Sequence, residues 1–145
     1  MRIAFSGTGN SGKTTLLKSF LYTWEGYTTP EKTYRDMLEE KSLPHSSDLT
    51  TDTQESILNF MIDQVQSTKK DDTIAFDRCP FDAIAYSMWA HDKKVEGFTK
   101  QFVTEQINLM RESMRSLDII FLCRFDPNQA IQDDGFRDTD KKFIV

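Results

Sequence analysis

The feature that most constrains this chain is the run Gly7-Thr-Gly-Asn-Ser-Gly-Lys-Thr14, which lies between an apolar segment and an amphipathic one. The run matches the pattern G-x-x-x-x-G-K-[ST] at every fixed position. Its glycines let the backbone turn with N–H groups pointing inward, while the lysine supplies a cation and the last hydroxyl a metal-binding oxygen. Because a helix N-terminus completes such an anion site, the run predicts a strand–loop–helix unit that binds phosphate groups.

The residues of this loop are predicted to hold ATP and Mg²⁺. Lys13 places its charge on the β- and γ-phosphates, the Thr14 hydroxyl ligates Mg²⁺, and the remaining residues provide backbone N–H groups. We expect the Lys13 side chain at the surface of a phosphate-sized concavity. The predicted nucleotide-binding residues are Gly7, Thr8, Gly9, Asn10, Ser11, Gly12, Lys13, Thr14 and Thr15.

Short apolar runs alternate with longer amphipathic ones along the chain. Strands are predicted at residues 2–6, 73–76 and 118–123, and a short one at 25–29. Helices are predicted at 12–24, from Pro30 (capped by Thr29) to about 41, from 51 to 69, from Pro80, and at 98–116. This rhythm predicts a single α/β domain over residues 1–145, a three-layer sandwich with a central parallel sheet. We expect the strands ending at Ser6 and Asp77 to be neighbours.

Charge and apolar patterning exclude several classes of protein. The chain has 18 lysines and arginines against 23 aspartates and glutamates, a net charge of −5, which argues against binding nucleic acid over a broad face. Apolar runs reach only about six residues, far below the ~18 that span a bilayer. Two scattered cysteines are typical of reduced thiols. We therefore expect a cytoplasmic protein without a membrane partner, and self-association stays open.

The residues after the second predicted strand separate classes of phosphate-loop protein. Motor-type hydrolases carry an acidic pair at this point, one carboxylate for Mg²⁺ and one to orient water. Here the strand ends in Asp77-Arg78, and a guanidinium beside the metal-side carboxylate suits a site that receives a second anionic or polar substrate. An Asn-Lys-x-Asp element, which reads guanine, is absent from the sequence. The pattern thus favours phosphoryl transfer over simple hydrolysis.

Two further segments resemble known kinases. The run Asp77-Arg-Cys-Pro80 resembles the Asp-Arg-[Ser/Tyr] element of thymidylate and deoxynucleoside kinases. The run Asp133-Asp-Gly-Phe-Arg137 resembles the Asp-Asp-Gly-Leu-Arg segment of the P-loop ATPase/kinase family that includes bacterial nicotinamide-riboside kinase domains. The resemblance covers about residues 1–137, and three motifs carry it. Because those kinases continue with a further strand and helix, and residues 143–145 are apolar, we expect either a native chain that extends beyond Val145 or a partner that buries these residues.

The resemblance implies a role for each matching residue. Asp77 would position Mg²⁺ or accept the proton of the attacking oxygen, and Arg78 would hold the acceptor or its phosphate. Arg137 would lie in a lid over about residues 124–140 and close on the transferring group, and Lys13 would neutralise the phosphates. These are the positioning and charge-neutralising roles that phosphoryl transfer requires.

A second set of residues is a candidate for the acceptor site, each with a plainer alternative. Tyr34 and Arg35 lie where related kinases bind the acceptor, but the arginine also suits an ion pair with the glutamate four residues on. Gln54 suits a base edge, yet Thr51-x-x-Gln54 also has the form of a capping box. Asp82 suits either substrate binding or the helix dipole. Arg124 follows the last predicted strand and is within reach of a phosphate.

The leading hypothesis is an ATP-dependent kinase whose acceptor is a nucleoside, a nucleotide or a related small molecule. A P-loop switch or regulatory ATPase without a small-molecule acceptor is the first alternative. A 5′-hydroxyl kinase acting on nucleic-acid ends is the second, and the acidic charge argues against it. Base selectivity depends on the shape of a pocket, which no motif in the sequence reports.

Overall fold

The computed structural model of the protein describes residues 1–44, 49–126 and 128. Within them the strands and helices follow one another in the order β1 (Arg2–Ser6), α1 (Lys13–Thr23), α2 (Tyr34–Glu40), α3 (Thr51–Gln66), β2 (Ile74–Asp77), α4 (Pro80–Asp92), α5 (Lys100–Ser113) and β3 (Ile119–Leu122). A 3-10 turn, Met114–Ser116, joins α5 to β3.

The strands form one parallel sheet in the order β2-β1-β3. Phe5 lies opposite Asp77 on one side and opposite Phe121 on the other, so the carboxyl ends of all three strands meet at one edge. At the other edge the Asp118 carboxylate accepts hydrogen bonds from the backbone N–H and guanidinium of Arg2, at 2.7 and 3.1 Å. The predicted parallel sheet is confirmed, and so is the predicted pairing of the strands that end at Ser6 and Asp77.

Helices cover both faces of the sheet. Side chains alternate along β1, so Ile3 and Phe5 pack with Leu17 of α1, while Ala4 packs with Val65 of α3 on the opposite face. A third cluster joins α3 to α4 through residues such as Leu58, Met61, Ala83 and Ile84. The sheet with one layer of helices on each face forms the three-layer α/β architecture that the sequence predicts.

The segment before α2 differs from its prediction. The helix begins at Tyr34 rather than at Pro30, because Thr33 accepts a hydrogen bond from the Asp36 N–H while the Asp36 carboxylate accepts one from the Thr33 N–H. This reciprocal capping box outcompetes the Thr29–Pro30 start. The strand predicted at residues 25–29 is reduced to one isolated bridge between Thr28 and Ile74.

The capping box predicted for α3 is also wrong. The N-cap is Thr50, whose hydroxyl accepts a hydrogen bond from the Thr53 N–H. The Gln54 side chain is buried and donates instead to the Ala83 carbonyl of α4. A tertiary contact therefore takes the amide that the local motif would have used. The helix ends at Gln66, about one turn before the predicted end.

Strand β3 lies at an edge of the described sheet and is exposed along its whole length. Its residues Ile119, Ile120, Phe121 and Leu122 are all apolar. None of the helices in the described ranges has the length and apolar character needed to span a bilayer.

Candidate functional site

The loop between β1 and α1 lies at the carboxyl edge of the sheet, where Ser6 ends the strand and Lys13 begins the helix. Gly7 and Gly12 have φ angles of +143° and +79°, and Asn10 has a φ of +58°. Glycine adopts such angles without a steric penalty, and asparagine adopts them more readily than most residues do. The glycine positions of the motif are thus required by the backbone of the loop itself.

Gly7 is also required by a close approach. Strand β3 pairs with β1, and the Cys123 N–H donates to the Ser6 carbonyl at 2.8 Å. A Cβ atom on Gly7 would lie 2.3 Å from the Cys123 carbonyl oxygen. Two backbone segments therefore meet at a point where only a hydrogen atom fits.

We expect Gly7→Ala to lower the free energy of unfolding by about 1–3 kcal/mol, through a strained φ and a clash with backbone that cannot move cheaply. Urea unfolding measures the change. Gly9→Ala is the matched control, because a Cβ at Gly9 meets nothing within 4 Å. Equal stability of the two variants would contradict the close approach.

The side chain of Lys13 lies inside the loop and lines the concavity beside it. Lys13 is only 5% exposed. The Nζ atom donates to the Thr8 carbonyl, and to the Ser11 hydroxyl at 3.2 Å. The reason is geometric, since side chains in the first turn of a helix point back toward its N-terminus. The ammonium is thereby held within the curve of the loop.

Burial and the charges nearby shift the pKa of Lys13. Burial lowers the pKa of the Lys13 ammonium to about 8, and the neighbouring Arg78 charge acts in the same direction. The carboxylates of Asp82 and Asp77 and the thiol of Cys123 favour the charged form and offset part of this effect. A buried cation with too few counter-charges is a group that an anionic phosphate would stabilise.

We therefore expect nucleotide binding to be coupled to protonation of Lys13. A phosphate beside Nζ raises the pKa, so binding takes up a proton near pH 8, and affinity falls as pH rises above about 8. Calorimetry in buffers of different ionisation enthalpy measures the uptake above pH 7, where a phosphate monoester, with its second pKa at about 6, is already ionised. Lys13→Arg should remove the dependence. A flat affinity between pH 7 and 9.5 in the wild type would contradict the coupling.

Thr14 and Asp77 form the second part of the site. The Thr14 hydroxyl donates to Asp77 Oδ2 at 2.7 Å, because the β1–β2 register places the end of β2 beside the loop. A hydroxyl and one carboxylate suit Mg²⁺, which takes few protein ligands and completes its shell with phosphate oxygens and water. No cluster of three or more acidic, histidine or cysteine side chains suited to a metal occurs in residues 1–44 and 49–126. The donor set therefore fits Mg²⁺ held together with a nucleotide.

A cavity of about 530 Å³ extends from the loop to helix α2. Tyr34 and Arg35 line it together with Lys13, Thr14 and Asp77. Arg35 Nε donates to the Tyr34 hydroxyl at 3.4 Å instead of pairing with the glutamate four residues on. Burial by itself would raise the pKa of Tyr34, but the nearby arginine charges outweigh it and lower that pKa. Two of the predicted acceptor residues thus face the phosphate loop across one cavity.

The side chain of Arg78 is only 8% exposed and makes contacts on several sides. Its Nη1 atom donates to the Gly7 carbonyl at 3.1 Å and to the Asp82 carboxylate at 3.3 Å. Its guanidinium carbon lies 5.7 Å from the Tyr34 ring centre and 5.9 Å from that of Tyr86, which is cation–π distance. The φ angle of +81° is strained for an arginine and costs about 1–3 kcal/mol, which these contacts offset. The geometry therefore ties Arg78 to the loop.

Asp82 contributes a contact that the sequence does not reveal. The carboxylate accepts hydrogen bonds from the Gly7 N–H at 2.9 Å and the Cys79 N–H at 3.0 Å. The Cys79 bond belongs to the capping of α4 and is visible as a local pattern, since Asp82 is the third residue of that helix. The i, i+4 spacing also signals the Arg78–Asp82 pair. The bond to Gly7 carries no such signal.

The structure does not bring the remaining candidates to the cavity. Gln54 lies in the core between α3 and α4, where it bonds to Ala83. Arg124 is exposed beyond the end of β3 and does not line this cavity. Arg137 and all but residues 124–126 and 128 of the predicted lid lie outside the described residues.

Comparison with known proteins gives one finding. A family model described as an AAA domain matches residues 2–142, almost the whole chain. No curated protein and no solved structure matches the chain at a significant level.

Proposed function

The chain belongs to this family of AAA domains, and on that premise we propose that it binds ATP with Mg²⁺ and transfers a phosphoryl group to a small acceptor. Family and fold are those of a P-loop nucleotide-binding domain. The observation that carries the further step is the cavity of about 530 Å³, which continues from Lys13 past Asp77 to α2. A site for hydrolysis alone needs only water at this position, whereas here the cavity continues beyond the loop to Tyr34 and Arg35 of α2.

The donor side uses the loop and the Thr14–Asp77 pair. Lys13 and the N–H groups at the start of α1 hold the phosphates, and Thr14 and Asp77 hold Mg²⁺. Bound Mg²⁺ supplies charge neutralisation on the phosphates. The protein's own contribution is to fix these groups before the reaction, so that reorganisation costs little.

The acceptor side is proposed to be formed by Tyr34 and Arg35. Arg35 lines the same cavity as Lys13 and makes no ion pair with any described carboxylate. An arginine in such a place suits an acceptor with a phosphate or another anionic group, which favours a nucleotide or phosphorylated nucleoside analogue. Acceptor binding by Arg78, as the kinase resemblance implies, stays a prediction, because its observed contacts are to the loop and to Asp82.

An acceptor screen tests the proposal. The protein is incubated with ATP and Mg²⁺ and with nucleosides, nucleoside monophosphates, nicotinamide riboside or a 5′-hydroxyl oligonucleotide, and phosphorylated product is measured in a single turnover. Product with a nucleotide-like acceptor supports the proposal, and Arg35→Ala should then raise the acceptor KM more than it lowers kcat. Hydrolysis of ATP at one rate with every acceptor would overturn it.

One observation favours a regulatory ATPase as the second candidate. Arg78 lies at cation–π distance from Tyr34 of α2 and from Tyr86 of α4, and it donates to the Gly7 carbonyl of the loop. A change at the loop would therefore reach α2 directly. In that case the screen finds no acceptor, and nucleotide binding changes hydrogen exchange in α2.

A further inference from the structure

Asp82 makes more bonds than the capping of α4 requires. Asp82 is only 4% exposed, and both of its carboxylate oxygens accept hydrogen bonds. Oδ2 accepts from the Cys79 N–H, which completes the helix cap, whereas Oδ1 accepts from the Gly7 N–H and from Arg78 Nη1. Gly7 lies 75 residues from Asp82 in the chain, so the bonds to Oδ1 join the loop after β1 to the segment after β2.

The Arg78–Asp82 ion pair contacts both polar backbone groups of Gly7. Asp82 accepts from the Gly7 N–H, and Arg78 donates to the Gly7 carbonyl. We propose that Asp82 is a positioning residue of this site, whose carboxylate sets the start of the phosphate loop and the place of the Arg78 guanidinium together. The inference rests on the proposed function, because it assigns Asp82 a part in nucleotide binding without contact to the nucleotide.

The geometry has a consequence for binding. Because Asp82 bonds to the first N–H of the phosphate loop and to Arg78, loss of its carboxylate should lower the affinity of the folded protein for a nucleotide. A role in stability alone would leave that affinity unchanged.

Asp118 offers a matched control at the opposite end of the same strand. Its carboxylate accepts from the Arg2 N–H at 2.7 Å and pairs with the Arg2 guanidinium at 3.1 Å. Both aspartates therefore bind one backbone N–H of the β1 segment and one arginine. Asp118 lies at the amino edge of the sheet, away from the loop, so its loss tests stability alone.

The experiment compares Asp82→Asn with Asp118→Asn. Urea unfolding gives the stability of each, and calorimetry with Mg²⁺ and ADP gives the affinity of the folded protein. We expect both variants to lose stability, but only Asp82→Asn to lose affinity, by about ten-fold or more. An affinity of Asp82→Asn within about two-fold of the wild type would overturn the proposal.

Two further measurements keep the test decisive. Where Asp82→Asn yields no folded protein, Asp82→Glu takes its place, since it keeps the charge but displaces it by one methylene, and the same loss of affinity is expected. Where the wild type binds no nucleotide, the proposed function fails, and the NMR resonance of the Gly7 amide still tests the bond to Asp82. That resonance should move in the Asp82 variant and stay in Asp118→Asn, and the reverse result would refute the positioning role.

Discussion

Lys13→Ala is expected to fold and to lose ATP turnover by about 10²–10³-fold, the range found when one preorganised charge-stabilising group is removed. The wild-type ammonium lies within the loop, bonded to Thr8 and Ser11, where a phosphate would meet it. Its burial lowers the pKa to about 8, so at pH 7 the charge costs the folded protein stability rather than adding to it. The variant loses this cost together with the bonds to Thr8 and Ser11, and we therefore expect the free energy of unfolding to fall by no more than about 1 kcal/mol.

Lys18→Ala is the control for this experiment, because Lys18 lies on an exposed part of the same helix. It should match the wild type in both urea unfolding and turnover. Turnover that survives in Lys13→Ala at wild-type affinity for ATP and Mg²⁺ would show that the loop does not bind the phosphates.

Asp77→Asn is expected to lower turnover by about 10²-fold or more while leaving the fold intact. Asparagine keeps the shape of the side chain and one oxygen that accepts the bond from Thr14, but it removes the negative charge that we propose holds Mg²⁺. The Mg²⁺ concentration for half-maximal turnover should rise in this variant. Turnover across a Mg²⁺ series, beside urea unfolding, measures both effects.

The exposed carboxylate of Asp63 on α3 provides the charge-matched control for Asp77. Asp63→Asn removes one negative charge from the surface and should leave turnover and its Mg²⁺ dependence unchanged. Full activity in Asp77→Asn would end the assignment of this carboxylate to the metal side of the site.

Several features could be predicted from the residues because they depend on local patterns. Residues 7–14 imply a strand before them and a helix after them, and the structure places β1 and α1 there. Parallel pairing of the strands that end at Ser6 and Asp77 follows from the alternation of strands and helices. That pairing brings the Thr14 hydroxyl to the Asp77 carboxylate, as expected for two polar groups at one edge of a parallel sheet.

The helix starts show where local patterns stop being decisive. Thr29-Pro30 and Thr33 both satisfy the rules for a helix start, and their sequence signals are similar. Thr33 is used because Asp36 returns its hydrogen bond, and Gln54 leaves its capping motif because the Ala83 carbonyl of α4 accepts its amide in the core. A buried donor must find a partner, so the tertiary contact prevails over the local one.

The sequence by itself determined the strand–loop–helix unit, the parallel sheet and the meeting of Thr14 with Asp77, because each follows from spacing within a segment or from the order of segments. Only the tertiary structure decided that Lys13 is buried and that Arg78 bonds to the loop through Asp82 and Gly7. The bonds of Asp82 and Arg78 to Gly7 join residues more than 70 positions apart, and their energies depend on burial and on the charges nearby. Burial and charge environment exist only once the strands are paired and the helices are packed, so no local pattern encodes them.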